Sequence, residues 1–211
     1  MALTSLYLDM KDKNVLIIGT GSVGIRRARR FLDAQANVNI VTKDIDEDIK
    51  VEFLEKGAHF FDNDKLDNLI EASDLIVIAT DDLKLNETIS KKAQGKLINC
   101  SSNPSISNVI FPSTFDIGGV TISVYTGSKS PLMAKTLRKK IQSIITDEDI
   151  YYIQLQEYLR ELLKTKVDSQ IERKEFMIQI NEDENVKNLI HDGNIEEAKE
   201  YAYKMVEKSL S

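Results

Sequence analysis

Three glycines, Gly19, Gly21 and Gly24, follow the apolar run Val15–Ile18 and precede a helical pattern that begins at Ser22. This is the G-x-G-x-x-G spacing in the setting that gives it meaning, after a strand and at the opening of a helix. There, Gly19 permits a tight turn, Gly21 lets the backbone approach a pyrophosphate, and Gly24 lets helix and strand pack closely. The free N–H groups around Ser22 and Val23, with the helix dipole behind them, face the phosphate charge. A plain tight turn between strand and helix is the alternative reading of the same glycines. Asp44 stands twenty residues beyond Gly24, where an acid hydrogen-bonds the adenosine ribose and favours NAD over NADP. Lys43 beside it could equally tolerate a 2′-phosphate, and Asp44 could instead cap a helix from residue 46. In an open α/β sheet the ligand lies beyond the carboxyl ends of the strands. Thr42-Lys43-Asp44, Thr80-Asp81-Asp82 and Asn99–Pro104 are therefore the loops that converge on the glycine turn. The expected cofactor contacts are Gly19, Gly21, Ser22, Val23, Gly24, Thr42, Lys43, Asp44, Thr80, Asp81 and Asn99.

A second candidate lies at residues 126–140. It carries Lys129, Lys135, Arg138, Lys139 and Lys140 without an acid. Thr126, Gly127, Ser128 and Ser130 precede a helix start there, a second potential anion site. A solvated helix face is an even alternative for Lys139 and Lys140, whereas Lys129 lies on the loop itself. Cys100 ends an apolar strand with no histidine near it in sequence and reads as a buried thiol. The two histidines, His59 and His191, are far apart in sequence, so neither a metal site nor a histidine-based triad is expected.

The elements that position these residues alternate. Strands are expected at 14–18, 37–42, 59–61, 74–79 and 96–100, with helices at 22–34, 46–56, 65–72 and 85–94. The run at 74–79 is apolar throughout, as in a strand buried on both faces. Such alternation predicts a Rossmann-type, doubly wound parallel sheet over residues 1–112. Residues 108–116 and 119–125 then read as a β-hairpin with its turn at 116–119. Such a hairpin is marginal alone, so a small β-rich dimerisation region over 113–146 is expected. Ser130 caps a helix that begins with Pro131 and runs to about Thr146. Residues 147–211 form a helical domain, with Tyr151, Leu155, Tyr158, Leu159 and Leu162 at helix spacing and Ile195, Ala198, Ala202, Met205 and Val206 repeating the pattern.

The net charge of −6 argues against general nucleic-acid binding, but it is unevenly spread. Residues 147–211 hold 16 acids and 9 bases, which leaves the remainder near +1 and able to meet an anionic ligand. The single cysteine excludes an internal disulfide framework and fits a reducing compartment. Met1–Met10 contains Asp9 and no long apolar core, so it does not read as a signal peptide. No apolar run approaches the ~18–20 residues of a membrane span. A cytoplasmic location is expected.

Residues 6 to about 145 resemble the precorrin-2 dehydrogenases, the N-terminal family of siroheme synthases. The resemblance rests on Gly-x-Gly-Ser-Val-Gly-x-Arg-Arg-Ala, Ala79-Thr-Asp-Asp82 with Asn86, Asn99, Phe111-Pro112 and Thr126-Gly-x-x-Ser-Pro-x-x-Ala134. It implies a homodimer that oxidises precorrin-2 to sirohydrochlorin with NAD. Some members also insert iron. The substrate's eight carboxylates give a rationale to Arg26 and Arg30 and to a substrate set of Thr126, Gly127, Ser128, Lys129, Ser130, Lys135 and Arg138. Matching Asn99 and Pro104 to the family motif puts Ser102 where members carry an aspartate, proposed as general base and metal ligand. A serine hydroxyl is a poor base and a poor iron ligand, so ferrochelatase activity is expected to be weak or absent. Asp81 and Asp116 are the substitutes for proton transfer, although both could serve as caps. These residues include no methyltransferase domain, so the substrate is expected from a separate enzyme. A bifunctional dehydrogenase and ferrochelatase is the nearest alternative, and a non-catalytic NAD-sensing module is the alternative from another class.

Overall fold

The computed structural model describes residues 3–127 and 129–210. The chain forms two compact units, one ending at Phe111 and the next beginning at Pro112.

In the first unit, strands β1 (Asn14–Ile18), β2 (Asn37–Val41), β3 (His59–Phe61), β4 (Leu75–Ile78) and β5 (Leu97–Cys100) form one parallel sheet in the order β3-β2-β1-β4-β5. Helices α1 (Ser22–Asp33), α2 (Glu47–Glu55), α3 (Leu66–Ala72) and α4 (Leu83–Lys92) connect them. The central strands β1 and β4 are almost entirely buried, as continuous apolar runs covered by helices on both faces must be. Their alternate residues feed two cores. Val15, Ile17, Val38, Ile40 and Val77 pack with Phe31 and Phe53. Leu16, Ile18, Ile76 and Ile78 pack with Leu69, Ile70 and Ile89. This is the α/β sheet that the alternation predicts.

The run at 108–112 departs from expectation. The strand expected to start at Asn108 starts at Ser113, and residues before it strap the edge of β5. Ile98 donates its N–H to the Asn108 side chain at 2.7 Å, and its carbonyl accepts from the N–H groups of both Asn108 and Val109 at 3.0 Å. Val109 and Phe111 pack against the first core, and Pro112 has no N–H to give a ladder.

In the second unit β6 (Ser113–Ile117) and β7 (Val120–Val124) form an antiparallel hairpin. The intervening Gly118 and Gly119 both have positive φ, +54° and +86°, the backbone that two-residue hairpin turns require. Helix α5 (Pro131–Gln142) ends before the expected Thr146 because Thr146 belongs to the next helix, α6 (Asp147–Lys166). Its hydroxyl accepts from the Asp149 N–H while the Asp149 carboxylate accepts from the Thr146 N–H, a reciprocal cap. The Thr146 N–H and the Thr146 hydroxyl, both donating to the Asp149 carboxylate, hold it below its usual range. Helices α7 (Gln170–Glu182), α8 (Glu184–His191) and α9 (Ile195–Leu210) complete the unit. Its core is Leu155, Leu159, Leu163, Val167, Ile180, Val186, Ile190, Ala198, Ala202 and Val206. No helix among the described residues is long and apolar enough to cross a membrane.

Leu159 is fully buried at the centre of that core. Leu159→Ala is expected to destabilise the protein by about 2–5 kcal/mol in chemical denaturation, through lost burial and the cavity left behind.

Candidate functional site

The site in the first unit is built by a very close approach. Gly24 faces the carbonyl of Gly19, and a Cβ on Gly24 would sit 2.0 Å from that oxygen and 3.3 Å from the Ala79 Cβ. A Cβ on Gly19, whose φ is +91°, would meet the Ala79 carbonyl oxygen at 2.7 Å. Helix α1 can therefore start directly against the ends of β1 and β4 only because both positions lack a side chain. Gly21 differs. A Cβ there would meet nothing within 4 Å, so no protein contact demands its glycine. The open space in front of it is what a pyrophosphate drawn close to the backbone would fill. Gly21 is also the N-cap of α1, without a side-chain capping bond, and no acid occupies the first turn. The first turn of the helix itself thus supplies no carboxylate to compete for the donors at Ser22 and Val23.

A cleft of about 420 Å³ opens at this point, lined by Gly19, Gly21, Thr42, Lys43, Asp44, Thr80 and Asp81 among others. Three hydroxyl and carbonyl groups fasten its rim. Thr20 Oγ1 lies 2.6 Å from Thr42 Oγ1 and 2.6 Å from the Asp44 carbonyl oxygen, which is also 2.9 Å from Thr42 Oγ1. Two hydroxyl protons serve three close oxygens, so the β2 loop is tied to the glycine turn. The Asp44 carboxylate has no capping role. Helix α2 is capped by Asp46, which accepts from the N–H groups of Asp48 and Ile49. The alternative reading of Asp44 as a cap is thereby overturned, and its side chain, at the cleft, has no hydrogen bond or ion pair among the described residues. Sequence reasoning passed over Thr20, because its significance depends on a loop 22–24 residues away.

On the opposite wall, Asn86 is 1% exposed and organises the ends of β4 and β5. Its Oδ1 accepts from Thr80 Oγ1 at 2.8 Å, and its amide donates to the Thr80 carbonyl at 3.0 Å and to Ser102 Oγ at 2.9 Å. Ser102 in turn donates to the Thr80 carbonyl at 3.3 Å. Its hydroxyl, which also lies 3.5 Å from Cys100 Sγ, is thus held as a structural link. Asp82 caps α4 through the Leu85 N–H, while Asp81 is exposed with no polar partner among the described residues. Asn99 does not line the cleft. Its amide donates to the Val109 carbonyl at 2.8 Å and holds the strap on β5. Cys100 is buried, as expected.

Arg27 was not singled out from sequence. Its guanidinium lies 4.1 Å from the centre of the Phe111 ring, and its Nε is buried without a hydrogen-bond partner among the described residues. Burial, with Arg26 and Arg30 alongside, pushes its pKa down to about 10, still charged at neutral pH.

The basic stretch lies in the second unit. Thr126 donates its hydroxyl to the Ser130 carbonyl at 3.0 Å, and Ser130 caps α5 by accepting from the Met133 N–H. Gly127 has a φ of +65°, and the Lys129 N–H donates to the Thr126 carbonyl. The loop is therefore a folded turn that presents Lys129 to solvent. Lys135 is exposed on α5, whereas Arg138 lies over the Phe115 ring at 5.7 Å. Ser128 lies outside the described residues. Asp116 is exposed on β6, where its carboxylate accepts from the Thr121 hydroxyl. Among the described residues no group of three or more His, Cys, Asp or Glu side chains is disposed to hold a metal ion.

The two roles of glycine can be separated experimentally. Gly21→Ala is expected to fold with a loss of at most about 1 kcal/mol while dinucleotide affinity, read by calorimetry, falls by about tenfold or more. Gly24→Ala is expected to lose stability and affinity together.

Comparison with known proteins agrees with this geometry. A family model described as "Putative NAD(P)-binding" matches residues 6–113. A Methanocaldococcus jannaschii protein named "Putative precorrin-2 dehydrogenase" is 33% identical over 85% of this chain and 90% of its own length. The precorrin-2 dehydrogenase of Methanosarcina barkeri is 30% identical over 97% of this chain and 94% of its own. The siroheme synthase of Buchnera aphidicola is 28% identical over 98% of this chain, which spans 44% of that longer protein. A solved structure titled "SirC, precorrin-2 dehydrogenase" superposes with a TM-score of 0.78, covering 96% of this chain and 100% of that one at 22% identity. At that identity the superposition speaks for the fold. With a dinucleotide-binding model over half the chain and relatives at 30–33% identity over most of it, the chain belongs to the precorrin-2 dehydrogenase family.

Proposed function

We propose that this protein oxidises precorrin-2 to sirohydrochlorin with NAD. The observation that carries the reading is that nearly the whole chain, and not its dinucleotide-binding half alone, matches proteins named for this enzyme. That full-length match favours an enzyme over a nucleotide-sensing module.

The net change is the loss of two hydrogens from the macrocycle, as a hydride and a proton. The dinucleotide, when bound, supplies the hydride acceptor. The chain's own residues do the rest. Gly19, Gly21 and Gly24, with the N–H groups of Ser22 and Val23, cradle the pyrophosphate. Asp44, on a loop tied down by Thr20 and Thr42, takes the ribose and sets the preference for NAD. Thr80 and Asp81 supply the opposite wall. Holding two reactants face to face is the largest contribution such a site makes.

Asp81 accepts the proton, since its carboxylate is exposed on the cleft wall and has no polar partner among the described residues. Ser102 does not, because its hydroxyl is already bonded to Asn86 and Thr80. Asp116 is the second candidate. The same engagement of Ser102 argues against the bifunctional reading, since a hydroxyl holding a backbone carbonyl is a poor ligand for iron. Thr126, Gly127, Ser128, Lys129, Ser130, Lys135 and Arg138 meet the substrate carboxylates.

The active form is a homodimer in the cytoplasm. Support for the dimer comes from the apolar side chains on and after α5: Leu132, Met133 and Ile144 are 74%, 47% and 71% exposed, an apolar surface of the kind that marks an interface.

Two outcomes follow. Asp81→Asn is expected to lower the rate of NADH formation from precorrin-2 by about 100-fold or more with NAD affinity unchanged, whereas Ser102→Ala stays within about tenfold. A larger loss in Asp116→Asn than in Asp81→Asn would move the base to β6. Leu132→Asp with Met133→Asp is expected to convert the dimer to a monomer in sedimentation velocity.

A further inference from the structure

Residues 147–211 carry 16 acids and 9 bases, yet one groove in this region is basic. It has a volume of about 800 Å³ and runs between α6 and α7, within the range of small-molecule sites. Four of the nine bases line it, Arg160, Lys164, Arg173 and Lys174, and only one of the sixteen acids, Glu182. The spacing explains the concentration. Residues 160 and 164 share one face of α6, as 170, 173, 174 and 177 share one face of α7.

These bases are largely unneutralised. Arg160, Arg173 and Lys174 have no acidic partner among the described residues, and Lys164 makes only a surface pair with Glu161, worth little in water. Arg173 is held in place by a bond from its guanidinium to the Asp168 carbonyl at 3.2 Å, while its Nε is buried with no hydrogen-bond partner among the described residues. An unmatched buried donor is costly unless a ligand answers it. Met177 and Ile178 add apolar surface to the same groove. Apolar surface flanked by guanidinium and ammonium groups suits a ligand with an apolar body and several carboxylates around it.

We propose that this groove is a second binding site for a polycarboxylate macrocycle, separate from the dinucleotide cleft. The choice of a macrocycle over other polyanions rests on the function proposed above, whose substrate and product both have this chemistry. No bond is made or broken in the groove. It holds the macrocycle and raises its local concentration on the protein.

The test is an equilibrium titration of the intact, NAD-loaded protein with uroporphyrin, an octacarboxylate porphyrin, followed by fluorescence. R160Q/K174Q changes two exposed positions on α6 and α7 and is expected to preserve folding, which circular dichroism checks. We expect wild-type binding that weakens with salt, and a fall in affinity of about tenfold or more in R160Q/K174Q. Lys129→Gln is expected to leave this groove affinity unchanged, and R160Q/K174Q is expected to oxidise precorrin-2 at the wild-type rate. Unaltered uroporphyrin affinity in R160Q/K174Q, or no binding to the wild type, would overturn the proposal. Failure of the proposed function reads out separately, as uroporphyrin bound through Arg160 and Lys174 with no NADH formed from precorrin-2.

Discussion

The constraint on which the first unit depends is the contact between Gly24 and the carbonyl of Gly19. With room for no Cβ between them, α1 begins directly at the carboxyl ends of β1 and β4, and its N-cap, Gly21, lines the cleft. Everything else in the cofactor site is arranged around that short distance. The β2 loop is tied to the turn through Thr20 and Thr42, and the far wall is fixed by Asn86. Two rigid walls and a bare backbone between them make a site that is formed before ligand arrives, which reduces the ordering cost of binding.

Much of this was legible in the sequence, for a physical reason. A strand buried on both faces must be apolar throughout, so β1 and β4 announce themselves, and glycines needed for steric reasons cannot be replaced. The residues that failed to announce themselves act through partners distant in sequence. Thr20 matters because of the Asp44 carbonyl, and Arg27 because Phe111 lies beneath it. The strap at Asn108–Pro112 reads as a strand because β-branched and aromatic residues suit either role, and only its bonds to Ile98 decide the matter. The end of α5 is hidden for a related reason, since Thr146 is a tolerable helix residue whose side chain caps the next helix.

Site chemistry was less legible than site position. Ser102 and Asn99 carry family motifs, but the direction of a hydroxyl proton or an amide is set by neighbours. The structure commits Ser102 to Asn86 and Thr80, and Asn99 to Val109. Asp81, one of the two substitutes expected for Ser102, makes no hydrogen bond or ion pair among the described residues. The acidic second unit carries the same lesson at larger scale, because a net charge of −7 over residues 147–211 conceals a basic groove that only the packing of α6 on α7 assembles.

The central claim is that the dinucleotide cleft and this chain together oxidise precorrin-2. Mixing the purified protein with NAD and precorrin-2, and following NADH and sirohydrochlorin in the same absorbance record, tests it most directly. Both products are expected to appear at equal rates and to be lost together when NAD is omitted. Tight NAD binding with no sirohydrochlorin formed would contradict it.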